Sequence, residues 1–190
     1  MTTDSTPAVP SAPVGSNTVN PFIVTDDAAG LIAFLIATFE ATEIAEARTA
    51  DTDGLVLHSE LRIGDSVVMI ADRKPDWLYS PAFTQVYVTD VAATLRRAVA
   101  HGGRVVTDPT DFWGDVLARI ADPFGNVWWV CRHNATNATW DDEPDAAVEA
   151  QEPGGADTEE TWSSFITPEL EYIHSTLLDT MAGLRDPRTT

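Results

Sequence analysis

The sequence has one cysteine, few basic residues and no long apolar run, and each shortage excludes something. A lone cysteine, Cys131, rules out an internal disulfide framework. Its place in the run NVWWVCR predicts a buried, inert thiol in a reducing compartment. The longest apolar stretch, residues 28–39, is well short of the roughly twenty residues that span a bilayer, so no transmembrane helix is expected. The opening MTTDSTPAVPSAPVGSN has neither a positively charged start nor an apolar core, so it does not read as a secretory signal, and the chain is assigned to the cytoplasm. Lysine and arginine number 11 against 30 aspartates and glutamates, a net charge of -19. Such a chain repels phosphate backbones and anionic lipid alike, which excludes nucleic acid and membrane as partners.

What is present is enough for one ordinary domain: 190 residues, 44% of them hydrophobic. The charge is unevenly placed. Residues 1–18 carry -1, residues 19–133 carry -7 and residues 134–190 carry -11. The tract 141–160 holds nine acids and no base, interrupted by Pro144, Pro153, Gly154 and Gly155, which is the composition of a disordered linker. The expected organisation is therefore a disordered arm (1–18), a compact domain (19–133), an acidic linker (134–166) and a C-terminal helix (167–184).

Within the domain the patterning repeats. Residues 19–25 read as a strand, and Asp26 as the cap of a helix whose apolar face uses Leu31, Phe34, Leu35 and Phe39. Strands follow at 42–49, 54–63 and 66–71, the last two joined by a Gly64-Asp65 turn. A strand at 82–89 then leads through Asp90 into a helix at 91–101 with a stripe of Val91, Leu95 and Val99, closed by Gly102-Gly103. Strands at 104–107, 115–121 and 126–132 complete a second βαβββ unit. Thr25-Asp26 and Thr89-Asp90 mark equivalent places, as do Gly64-Asp65 and Gly125-Asn126. Each half (19–72 and 82–133) has too little core to stand alone, so the two are expected to pack as one α+β domain whose curved mixed sheet forms a cup.

Four stretches carry a resemblance: VNPFIVTDDAAGLIAFLIATFEATEI, LHSELRIGDSVVMIAD, VYVTDVAATLRRAVAHGGRVV and DFWGDVLARIADPFGNVWWV. In order and spacing the domain resembles the vicinal oxygen chelate superfamily, the glyoxalase/bleomycin-resistance proteins, and within it the PhnB-like branch. The resemblance implies two βαβββ modules in an open cup, usually in a homodimer. It also implies one of two chemistries: a divalent metal held by His, Glu or Gln of the cup strands, or metal-free capture of an antibiotic. In enzymatic relatives the first strand commonly supplies His, where this chain has NPFIV. The last strand commonly supplies Glu four residues after the DPxG glycine, and that position is Trp129.

The candidate site residues are therefore His58 and Glu60, two apart on one strand and so on one face, together with Gln85, Trp113 and Trp129. Glu60 would hold one tautomer of His58 for base or ligand-anchoring work. Gln85 and Tyr87 are read as facing opposite ways, with only one lining the cup. Trp128 and Trp129 must face opposite sides, one to the core and one to the cup. Asp122, Pro123 and Gly125 form a turn without chemistry. Thr167, Pro168 and Glu169 open an amphipathic helix with apolar Leu170, Ile173, Leu177, Leu178, Met181 and Leu184, to be buried on its own domain, on a partner's cup or on another protein. The leading expectation is a small-molecule-binding protein with a small organic ligand and no cofactor or metal. The alternatives are a divalent-metal lyase, isomerase or dioxygenase using His58, Glu60 and Gln85, and a dimeric interaction module using the C-terminal helix.

Overall fold

The computed structural model describes residues 12–13, 15–134 and 166–189. The first residues of the arm and nearly all of the acidic linker lie outside the described residues.

The first half begins with a short strand, β1 (Phe22–Thr25), and helix α1 (Ala28–Phe39), followed by strands β2 (Thr42–Ala50), β3 (Val56–Ile63) and β4 (Ser66–Asp72). The second half repeats it as β5 (Phe83–Tyr87), α2 (Val91–Ala100), β6 (Arg104–Phe112), β7 (Asp115–Ala121) and β8 (Val127–Arg132). Each half forms its own four-stranded mixed sheet, in the orders β1-β4-β3-β2 and β5-β8-β7-β6. In both, the first strand runs parallel to the last and the other pairs are antiparallel. The expected α+β architecture with duplicated βαβββ units is present.

Local chemistry sets the boundaries. β1 starts at Phe22 rather than Val19, because Asn17 and Asn20 bond each other in a turn and Pro21 has no N–H for a ladder. Asp27, not Asp26, caps α1, its carboxylate accepting from Gly30 N at 2.8 Å. Asp26 is turned away to Arg73, which donates to it at 2.7 Å. β6 runs to Phe112, five residues beyond the expected end. It is an edge strand, where Pro109 sits at a shift of register between Thr107 and Thr110 without breaking an inner ladder.

One apolar cluster joins the halves. Ile23, Leu61, Val68 and Ile70 of the first sheet and Ala118, Ile120, Trp128 and Val130 of the second pack with Leu31, Phe34 and Leu35 of α1 and Leu95 and Ala98 of α2. The Phe39 and Trp128 rings meet at 5.3 Å across the two halves. The buried stripe of α2 is Val91, Thr94, Leu95 and Ala98; Val99, placed there by the sequence reading, is 53% exposed. A helix turns 100° per residue, so positions 91, 94, 95 and 98 share a face that 99 has already left.

Helix α3 (Pro168–Gly183) is capped by Thr167, with Pro168 in its first turn as expected. It lies on the second sheet of its own domain, against β6. Its buried residues are Leu170, Ile173 and Thr180, whereas Leu178 and Met181 remain exposed. The docked stripe is thus narrower and more polar than the apolar count indicated. Beyond it Asp186 and a 3-10 turn (Pro187–Thr189) return to the first half. Asp186 takes both terminal nitrogens of buried Arg73, and Arg188 donates to the Arg73 carbonyl at 2.6 Å.

Candidate functional site: two sheet faces and a groove

Alternation along the strands assigns the face opposite the helices. With Leu61 and Ile63 in the core, Glu60 and Arg62 point the other way, and with Val68 and Ile70 in the core, so does Met69. His58 stands beside Phe22, ring centroids 6.1 Å apart, and its Nε2 lies 3.2 Å from Glu60 Oε1. Both side chains are partly exposed, at 33% and 29%. Ile44 and Met69 are the cross-strand neighbours of Glu60, so the polar pair is set among apolar side chains.

Gln85 belongs to the other sheet. Its Nε2 donates to the hydroxyl of Tyr87 at 2.9 Å. The two residues therefore share a face, and the reading that set them on opposite faces is corrected: positions two apart in a strand point the same way. Both line a groove of about 360 Å³ between β5 and the segment before β1, with Asn17, Pro21, Asp65 and Ser66 opposite.

On the second sheet, Trp128 is fully buried toward the helices and Trp129 faces the opposite side, as alternation requires. Trp129 is half-buried beneath α3, in a small cluster with Leu117, Cys131, Phe112 and Ile173. Arg119 lies over its ring, Cζ 4.8 Å from the centroid, and Phe83 meets it edge-on at 6.2 Å. Arg119 Nη1 donates to the Ile173 carbonyl at 2.7 Å, tying the sheet to α3. Thr107 bonds Thr176, and Tyr172 bonds Asp108. Burial without a carboxylate partner draws the guanidinium of Arg119 below its usual value, and burial pushes the Cys131 thiol up to about 11. The thiol is thus inert at neutral pH. Trp113 lies in the β6–β7 hairpin turn, 56% exposed, with its ring against Phe112. With Gly114 it has positive φ, the conformation such a two-residue hairpin turn needs.

His58 and Glu60 are brought together, but Gln85 is on the other sheet and engaged with Tyr87. Among the described residues no three His, Cys, Asp or Glu side chains gather as a metal site requires. Sequence reasoning passed over Arg119 and Phe83 as site residues. The signal for Arg119 was present, as a cation in the middle of the apolar strand DVLARIA.

A family model described as the glyoxalase/bleomycin resistance protein/dioxygenase superfamily matches residues 17–130, the stretch that forms both sheets. The chain belongs to this superfamily. Among similar proteins is the uncharacterized protein Rv0887c of Mycobacterium tuberculosis, 36% identical over 122 residues that make up 58% of this chain and 71% of the relative. Solved superfamily-like folds include TioX from Micromonospora sp. ML1, at 20% identity and TM-score 0.50 over 62% of this chain and 97% of that one. Protein PA1353 from Pseudomonas aeruginosa is comparable, at 21% identity and TM-score 0.51 over 62% and 98% of the two chains. These identities show the fold alone. The superfamily match ends before α3, so the helix lies outside the matched stretch. Among the described residues no helix is long and apolar enough to cross a membrane.

Proposed function

We propose that the chain is a small-molecule-binding member of the superfamily that works without a bound metal, by sequestration, and that it sits in the PhnB-like branch. The observation that carries this reading is the His58–Glu60 pair: each satisfies the other at 3.2 Å, and no third donor joins them among the described residues. A site of this kind anchors a polar group of an organic ligand, with Phe22 and Met69 as apolar surface beside it; the Gln85–Tyr87 groove, which neither residue of the pair lines, offers a second surface of apolar and hydrogen-bonding groups. Residence in the cytoplasm fits a buried free thiol. Homodimer formation belongs to the same proposal; sedimentation velocity measures it, and a monomer at tens of micromolar refutes it.

The test is a tryptophan-fluorescence titration with bleomycin and a panel of flat aromatic compounds, before and after chelation. Metal-independent binding shows equal affinity in both. Binding that is lost on chelation and restored stoichiometrically by zinc, nickel or iron overturns the proposal in favour of a metal-dependent lyase, isomerase or dioxygenase.

A further inference from the structure

Arg119 is 4% exposed, in the middle of an apolar face. Among the described residues no carboxylate accepts from it. Nη1 reaches the Ile173 carbonyl and, at 3.2 Å, the Thr107 hydroxyl, and Nε is buried without a partner. The acids of α3, Glu169, Glu171 and Asp179, do not pair with it. A desolvated guanidinium held only by neutral oxygens is a cation lacking its anion, since carboxylate and phosphate are the partners that match its fork of donors. The surroundings of this cation are aromatic. Trp129 lies beneath it, and Phe83, against the edge of Trp129, is 46% exposed, so the aromatic surface continues to solvent. The cover is a single helix: α3 buries Leu170, Ile173 and Thr180 and is held by the Arg119–Ile173, Thr107–Thr176 and Tyr172–Asp108 bonds, so its stability comes from this packing rather than from helix propensity.

We propose that Arg119, Trp129 and Phe83 form a binding site for an organic anion with a flat apolar body, and that α3 occupies this site in the ligand-free chain. The ligand's carboxylate meets the guanidinium side-on, along the edge that Nε shares with Nη2, and gives Nε the acceptor it lacks. Its ring takes the place of the Ile173 side chain beside Trp129 and Leu117. Ligand and helix then compete by mass action. This proposal rests on the metal-independent binding reading and adds to it a ligand class and an internal competitor.

The probes are 2-naphthoate and its uncharged counterpart 2-naphthamide, titrated into the full-length chain by tryptophan fluorescence. Naphthoate is expected to bind about tenfold more tightly than naphthamide, the worth of one charge-assisted contact. Ile173→Ser, which loosens α3, tightens naphthoate binding roughly fivefold by weakening the competitor. Arg119→Met reduces naphthoate to the level of naphthamide. Hydrogen exchange of the 168–183 amides in the unaltered chain rises on adding naphthoate, a readout that does not depend on any variant folding. The anion site is overturned by equal binding of the two probes, by no binding of naphthoate in any chain, or by unchanged naphthoate affinity in a folded Arg119→Met. The role of α3 is overturned by unchanged affinity in Ile173→Ser or by unchanged amide exchange. Naphthoate binding that survives Arg119→Met but is lost in Gln85→Ala refutes this site while leaving the broader ligand-binding reading in place.

Discussion

Replacing Asp122 by asparagine tests how the turn between β7 and β8 is held. One carboxylate oxygen accepts from the N–H groups of Phe124 and Asn126, and the other from Asn126 Nδ2 and Trp128 Nε1, all four at 2.9 Å. The side chain is buried, and Trp128 has no exposed surface. Asparagine keeps the shape but puts an NH2 group where two donors already point. Asn126 gains nothing by flipping its amide, because its oxygen accepts from Ala82 N at 2.9 Å. The indole N–H and one amide N–H are then buried without acceptors, at about 1–3 kcal/mol each, so Asp122→Asn is expected to cost about 2–6 kcal/mol. The measurement is urea unfolding by circular dichroism, with an unchanged slope showing that the stability and not the denatured state has moved. In a Trp128→Phe background, where one of the two donors is gone, the same substitution should cost about 1–2 kcal/mol less. A variant within about 0.5 kcal/mol of the parent, or costs that simply add, would refute the shared-acceptor argument.

Three further outcomes follow from the same geometry. Gly125→Ala places a Cβ 2.5 Å from the Tyr79 hydroxyl at a φ of +88° and displaces the 2.6 Å bond from that hydroxyl to the Gly125 carbonyl, so a loss of about 2–3 kcal/mol is expected by urea unfolding; Tyr79→Phe alone should lose about 1 kcal/mol. Glu60→Gln should change thermal stability by less than about 1 kcal/mol, since the His58 contact is partly solvated, yet weaken whichever ligand the panel identifies. The Arg73 guanidinium holds the Asp186 carboxyl below its ordinary value of 3.8. A depressed folded value means that the clamp contributes fully above 3.8 and is lost as pH falls through the lower folded value. Protection of the amides at residues 184–189, taken against their intrinsic exchange rates, should therefore persist at neutral pH and fall below about pH 4, while Asp186→Asn releases the tail already at pH 7.

Much of the fold could be read from the sequence because it is written in local patterns. Alternation gave the strands, Asp90 and Thr167 the helix starts, and the recurrence of glycine turns the duplication. The misreadings arose where a distant residue decides. Asp26 reads locally as the cap, and Arg73, 47 positions away, together with Arg188, draws it off and leaves the cap to Asp27. β6 seemed to stop before Pro109 because a proline is harmless only on an edge, and edge position is a property of the assembled sheet. At the site, the spacing of His58 and Glu60 announced their contact, since two residues on one strand face settle it between them. That Trp129 lies under α3 was not legible: the amphipathic stripe showed that the helix needed a partner surface, and choosing that surface depended on Arg119, Thr107 and Asp108 meeting Ile173, Thr176 and Tyr172.

The placement of α3 also sets an order of events during synthesis. Its partners on β6, β7 and β8 all precede residue 134, whereas the helix spans Pro168–Gly183 and is made later. At about 5–20 residues per second, the 49 residues that follow Asn134 up to the end of the helix at Gly183 take about 2–10 s to be made. Throughout that interval the sheets can already be paired while Leu117, Trp129 and Cys131 face water, and Arg119 is still hydrated. For those seconds the nascent domain carries, uncovered, the face that the proposed ligand and α3 would later compete for.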